Sequence, residues 1–162
     1  MPISLFRIDE RLLHGQVVVG WGRRLEIAYY VVVDDLLVES EWEQELYASG
    51  LPAGTGVSFV SVADAVDRFP ELDAHPGRGA LLTRGTLAMR RLADAGLLTD
   101  RRVNIGGLHA EIGRRRALDY VFLKADEAED LRTIRQQAAS VSARDLPTSR
   151  EVSLDEVLDV LG

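Results

Sequence analysis

The sequence predicts an α/β fold: a doubly wound, mostly parallel sheet of six to seven strands with helices on both faces. Three observations lead there. Short β-branched runs alternate with amphipathic stretches of helical length along the whole chain. The run Ala28–Val33 (AYYVVV) is almost wholly apolar, as a strand covered on both faces requires. There is no internal repeat or low-complexity tract, and the loop-like segments Pro70–Gly79 and Gly106–Arg116 are too short to separate domains. Residues 1–162 are therefore expected to form a single domain.

The elements follow in order. Ile3–Asp9 reads as the first strand and Gln16–Leu25 as the first helix. Ala28–Val33 is the second strand. Ser40–Ser49 is helical, with Ser40 as N-cap and Glu43 three residues on, the pattern of a capping box. Val57–Val62 is the third strand, followed by a helix over Ala63–Phe69. Gly79–Thr83 is the fourth, and Thr86–Ala95 a helix stopped by Gly96. Arg102–Ile105 is the fifth strand and Leu118–Leu123 the sixth. Asp126–Ala139 is helical, Val141–Asp145 a short strand and Leu154–Leu161 the last helix. Trp21 and Trp42 lie on amphipathic helices and are expected in the core. Right-handed crossovers place helices on both faces.

Composition removes whole classes of chemistry. The chain has no cysteine, so disulfides, thiolate metal sites and cysteine nucleophiles are excluded. Its formal net charge of −7 is a poor match for nucleic acid. All but one of the 19 basic residues are arginine, the exception being Lys124, and no lysine-bearing phosphate loop exists. Arg7 and Asp9 interrupt any secretory apolar stretch, and no run approaches the roughly 18 residues of a membrane span. The expected location is cytoplasmic.

In an open α/β sheet, ligands bind beyond the carboxyl ends of the strands at the topological switch point. The residues placed there are Asp9–Gln16 after the first strand, Asp34–Asp35 after the second, Arg84–Gly85 after the fourth and Gly106–His109 after the fifth. Two of the three histidines, His14 and His109, fall on this rim, while His75 reads as surface. His14 immediately precedes a helix start, where backbone N–H groups favour an anion. Gly15 lets a phosphate approach the backbone, and Arg11 supplies a cation. Neutral imidazole is a competent nucleophile near neutrality. These are the parts of a phosphohistidine site. One of Asp9 and Glu10 is expected to fix the histidine tautomer and the other to position Arg11. Arg84 is a second cation for the phosphate if the fourth strand neighbours the first. Other roles stay open: Gly106 and Gly107 as turn formers, Asp34 as a turn residue, Leu12 and Leu13 as packing for the loop. A three-histidine metal site has no support in the spacing.

The segment Arg7–Val17 (RIDERLLHGQV) closely resembles the signature of the IIB component of the mannose/fructose/sorbose-type sugar phosphotransferase system. The resemblance continues through Val31–Asp35, Leu81–Gly96 and Asn104–His109 and covers essentially the whole chain. It implies a doubly wound fold with the active loop after strand one. It implies that His14 takes a phosphoryl group on Nδ1 from a phosphohistidine of a IIA partner. The group then passes to a sugar carried by the membrane components IIC and IID, to which the protein would be peripherally bound. Arg11 matches the arginine expected at the phosphoryl group. Asp9, Gly15 and Gln16 match residues of the same loop, and Asp34 a second acidic position. Asn104, Gly106, Gly107 and His109 match a block of the family. Beyond the resemblance, a IIA donor would dock on the rim around Leu12, Leu13 and His14, and Arg84 is either a second cation there, for the phosphate or for an acidic partner surface, or an exposed turn arginine. No cofactor, metal or nucleic acid is implied, and a homo-oligomer is compatible with it. Glu10, Leu13 and Leu108 are conservative departures, whereas Gly113–Leu123 and the chain after Asp145 differ more. The same histidine would also serve a regulatory phospho-carrier without sugar transport. A ligand- or metal-binding α/β protein without transfer chemistry is the third class.

Overall fold

The computed structural model describes residues 2–162. Nine strands are present among the described residues: β1 (Ile3–Ile8), β2 (Ile27–Val33), β3 (Gly56–Val60), β4 (Arg78–Thr83), β5 (Arg102–Ile105), β6 (Arg115–Leu118), β7 (Val121–Leu123), β8 (Ser140–Ala143) and β9 (Val152–Ser153). Seven of them form one sheet in the order β3-β2-β4-β1-β5-β8-β9. Its pairings are parallel except for β9, which runs antiparallel to β8. The doubly wound, mostly parallel sheet expected from the sequence is the observed one.

The helices are α1 (Gly22–Leu25), entered directly from a π-helical turn over Gln16–Trp21, then α2 (Glu41–Ser49), α3 (Val62–Asp67), α4 (Phe69–Leu72), α5 (Thr86–Asp94), α6 (Ala125–Gln137) and α7 (Leu154–Asp159). Strand alternation divides the buried apolar residues into two layers. Phe6, Ile8, Val31 and Leu81 pack with Met89 and Leu92 of α5, Leu131 and Ile134 of α6 and Val157 of α7. Leu5, Tyr30, Val32 and Leu82 face the other way, onto Leu12, Val17, Trp21 and Leu37. The chain thus leaves β1 onto one face and leaves the adjacent β4 onto the opposite face. That divergence is the switch point, and it opens beyond Ile8 and Thr83.

Several local expectations are corrected. The predicted sixth strand, Leu118–Leu123, is instead the hairpin β6–β7, broken at Asp119–Tyr120 and separate from the main sheet. The sixth position is taken by β8. The predicted helix over Ala63–Phe69 splits at Arg68 into α3 and α4. Pro70, which lacks an N–H and would clash with a preceding turn, explains the break. Ser40 is the N-cap of α2, but its side chain accepts no capping bond. Its ψ of 90 sets the first amides of α2 differently from those that follow Ser61 and Ser153, which have ψ of 165 and 154 and cap Asp64 and Glu156. Trp21 is buried as expected, but Trp42 is exposed, because α2 buries none of its residues.

Close packing fixes the sheet on the Tyr29 side. The Tyr29 hydroxyl donates to the Leu72 carbonyl at 2.8 Å, and a Cβ at Gly79 would overlap the Tyr29 ring. Gly79→Ala is expected to cost about 1–3 kcal/mol through overpacking, measured by urea denaturation. Wild-type stability would mean that the ring moves freely.

Candidate functional site

The site begins with two consecutive inward groups of β1 and its end. Arg7 and Asp9 are both fully buried. Arg7 donates to Asp9 Oδ2 through Nε at 3.2 Å and Nη2 at 3.0 Å. Its Nη1 donates to the Asn104 side-chain oxygen and, at 2.9 Å, to the Arg144 carbonyl, while Nη2 reaches the Asp145 carbonyl at 3.1 Å. All five guanidinium N–H groups are thereby used. Arg7 also lies 5.4 Å from the Trp21 ring centre. Gly106 is required beside it, since a Cβ there would overlap the guanidinium.

Asp9 spreads this anchored charge into the loop. Its Oδ1 accepts from the Arg11 amide at 3.1 Å, and Oδ2 accepts from the Gly107 amide at 3.4 Å. Oδ2 also pairs with His14 Nε2 at 3.0 Å. Burial acts to raise the Asp9 carboxyl, but the His14 bond, the Arg7 charge and the Arg11 amide outweigh it and hold it below the ordinary carboxylate range. The carboxylate therefore accepts Nε2–H and leaves His14 Nδ1 as the ring nitrogen without a hydrogen-bond partner among the described residues. The His14 ring is 13% exposed, enough to be reached from the rim.

Loop geometry supports this presentation. Leu12 is fully buried at φ 53, in the left-handed region, and its amide returns to the Asp9 carbonyl at 3.0 Å. That conformation costs roughly 1–2 kcal/mol for a leucine, which burial of its side chain offsets. Leu13 is buried too. Both leucines pack the loop down, so neither offers a side chain to a partner in this conformation. The His14 carbonyl accepts the amides of Val17 and Val18 and starts the helical turn. Gly15 has open space where a side chain would be. Arg11 is exposed, and Nη2 meets Gln16 Oε1 at 3.3 Å.

The remaining expected residues divide into two groups. Asn104, Gly106 and Gly107 stand behind Arg7 and Asp9 and act on the loop from within the fold. Arg84 lies on β4's rim beside β1; it donates through Nε to Asp34 Oδ2 at 3.1 Å and through Nη1 to the Glu10 carbonyl at 3.3 Å. Asp34 uses its other oxygen to accept the amides of Leu36 and Leu37. Asp34 therefore anchors Arg84 and a turn. A cleft of about 460 Å³ is lined by Glu10, Arg11, Arg84, Gly85, His109 and Arg114.

Glu10 does not position the Arg11 side chain, as the sequence suggested. It accepts from the His109 amide at 3.1 Å and pairs with His109 Nδ1 at 2.9 Å, and its second oxygen takes Arg114. Burial raises the Glu10 carboxyl, but the bonds from Arg114 and His109 prevail and hold it below its ordinary range. Arg114 is itself gripped by Glu127 at 3.0 and 2.8 Å, and these partners raise its already high pKa against the effect of burial. Arg114 and Glu127 were not singled out in the sequence. They are distant from the motif, and nothing distinguishes Arg114 from its neighbours Arg115 and Arg116. The Arg144 and Asp145 carbonyls that hold Arg7 are equally silent, because a backbone acceptor carries no residue signature. Among the described residues no group of three metal-ligating side chains converges.

Fold and loop together define a doubly wound α/β protein that presents a carboxylate-oriented histidine at its switch point. The family model described as PTS system sorbose subfamily IIB component matches residues 3–161, and the chain belongs to that family. The N-acetylgalactosamine-specific phosphotransferase enzyme IIB component 1 of Escherichia coli is 30% identical over 95% of this chain and 97% of its own. The fructose-specific EIIB component of Bacillus subtilis is 26% identical over 98% and 96%. The mannose-specific EIIAB component of E. coli is 23% identical and matches over 98% of this chain but 49% of its own length. The crystal structure of the E. coli N-acetylgalactosamine-specific IIB component 1 superimposes with a TM-score of 0.84 at 29% identity, covering 93% of this chain and 98% of that one. That of manxB from Thermoanaerobacter tengcongensis gives 0.86 at 28%, covering 97% and 95%. This chain is accordingly a sugar-specific IIB component of a phosphotransferase system.

Asp9→Asn leaves the buried Arg7 without its counter-charge and is expected to cost about 3–5 kcal/mol at neutral pH, read by urea denaturation. The sign follows from linkage. The folded carboxyl lies below its unfolded value of about 3.9, so its contribution is complete above that value and disappears as pH falls through the folded one. The gap between wild type and variant should therefore narrow on acidification; a gap independent of pH would contradict it.

Proposed function

We propose that His14 carries the phosphoryl group: it accepts it on Nδ1 from a IIA phosphohistidine and passes it to a sugar during uptake through IIC and IID. The observation that carries this is the Asp9 Oδ2–His14 Nε2 bond, which directs one ring nitrogen inward and leaves the other free. In the first step the Nδ1 lone pair attacks phosphorus as the donor N–P bond breaks, while Nε2–H stays on Asp9. The positive charge that forms on the ring lies against an anchored carboxylate. In the second step the N–P bond breaks toward an incoming sugar oxygen and the ring returns to neutral. Phosphoryl transfer of this kind depends on positioning and charge.

Arg11 is the cation nearest in sequence, exposed and held only by Gln16 among the described residues, so it can turn onto phosphoryl oxygens. Arg84 is a further cation on the rim, already tethered by Asp34. Gly15, Gln16 and the rim around His109 complete the contact surface. A IIA donor is supported by the EIIAB name of a relative in which the matched segment is half of the chain. The relatives' names indicate hexose, ketose or acetamido-sugar acceptors. Among the described residues no helix is long and apolar enough to cross a membrane, so the role needs IIC and IID as the membrane partners.

His14→Ala is expected to abolish acid-labile phosphate incorporation from phosphoenolpyruvate, the general phosphotransferase proteins and IIA. Undiminished incorporation would remove His14 from the mechanism. Arg11→Ala should slow single-turnover transfer from IIA by two or more orders of magnitude, on the scale of the ~3–4 kcal/mol lost with one oxyanion contact. An unchanged rate would make Arg11 structural.

A further inference from the structure

Two successive carboxylates of the loop each hold one imidazole. Asp9 holds His14 through Nε2, leaving Nδ1; Glu10 holds His109 through Nδ1, leaving Nε2. Gly107 stands between the two pairs. A Cβ on it would lie 3.6 Å from Asp9 Oδ1 and 3.6 Å from His109 Nε2, so those atoms are no further apart than the sum of the two distances. His109 is well fixed: its amide and ring nitrogen meet one Glu10 oxygen, and its carbonyl accepts Arg114 Nη1 at 2.8 Å. Yet its side chain is 51% exposed and lines the cleft shared with Arg11.

Sugar transfer raises a proton question that transfer between histidines does not. A hydroxyl that attacks phosphorus must lose its proton. Asp9 is buried and saturated by Arg7, His14 and two amides. Glu10 is saturated by Arg114 and His109, and both carboxylates are held below their ordinary range, which makes them weak bases. The other cleft side chains, Arg11, Arg84 and Arg114, are permanently protonated donors. His109 Nε2 is the one remaining proton acceptor among the described cleft residues.

We propose that His109 is the general base of the sugar step, with Glu10 fixing its tautomer. The inference rests on His14 being the phosphoryl carrier. The P–O bond forms as the P–Nδ1 bond of His14 breaks. The hydroxyl proton passes to His109 Nε2, the imidazolium is stabilised by Glu10, and the proton then leaves to water. Glu10 holds the ring and Arg114 holds the His109 carbonyl, while Arg11 and Arg84 line the same cleft.

The test separates the two half-reactions, using IIA and membranes bearing IIC and IID, with N-acetylgalactosamine, fructose, mannose and sorbose as acceptors. His109→Gln keeps a hydrogen-bonding group toward Glu10. It should deliver phosphate to sugar about a hundredfold or more slowly than wild type, a loss far larger than any change in its uptake of phosphate from IIA. Imidazole added to His109→Ala should restore sugar transfer, which it would not do for a structural role. Equal sugar transfer in wild type and His109→Gln overturns the inference while leaving His14 as carrier. Equal slowing of both half-reactions, unrelieved by imidazole, also overturns it. A wild type that takes no phosphate from IIA, or takes it and passes it to none of the sugars, removes the transfer role and this inference with it.

Discussion

The Arg7–Asp9 pair is the interaction on which the site depends. Two opposite charges two residues apart on one strand end are taken wholly out of water. That is tolerable only if every remaining donor and acceptor is met. The chain meets them from four places: Asn104 on β5, the Gly107 amide after it, the carbonyls of Arg144 and Asp145 after β8, and His14 and Arg11 on the loop itself. The loop after β1 is therefore held by the ends of three strands, β1, β5 and β8. The glycine at 106 is the steric condition for this, because the guanidinium occupies the space a side chain would fill.

The two carboxylates at 9 and 10 are equal in chemistry and differ in consequence. Asp9 faces inward and converts the buried charge into the orientation of His14. Glu10 faces the rim, where Arg114 and Glu127 anchor it and it orients His109. Neighbouring residues on a chain leaving a strand point to different sides, so the loop supplies an inner and an outer imidazole from a single Asp-Glu step. The rim cations then offset the net charge of −7 locally, where an anion would arrive.

Much of the fold was legible because its strands are apolar and covered on both faces, which makes β2 and β4 hard to mistake. The legible part of the site was the part contiguous in sequence: Asp9, Arg11, His14, Gly15 and Gln16. The errors have physical causes. The hairpin β6–β7 and a single strand over Leu118–Leu123 share the apolar residues Leu118, Val121, Phe122 and Leu123, and the turn at Asp119–Tyr120 is what tells them apart. Ser40 carries the right residue type for a capping box, but its backbone departs from that of the two serines that do cap, and its side chain accepts no capping bond. Between packing and partner contact, both open for Leu12 and Leu13 in the sequence, the left-handed turn at Leu12 decides for packing by folding them inward.

By itself the sequence determined the class of fold, the strand that carries the loop, the histidine at its end and the exclusion of cysteine chemistry. Each depends on composition or on local pattern. Only the tertiary structure decided which ring nitrogen of His14 is held, which carboxylate holds which histidine, and which of three consecutive arginines anchors Glu10. Those choices join residues up to 104 positions apart, as in the Arg114–Glu10 pair. They follow from the register of β1 against β4 and β5, which sets the loops side by side. Pairing across such separations leaves no periodicity in the chain, because hydrogen bonds to carbonyls and amides are available to any residue that the fold brings near.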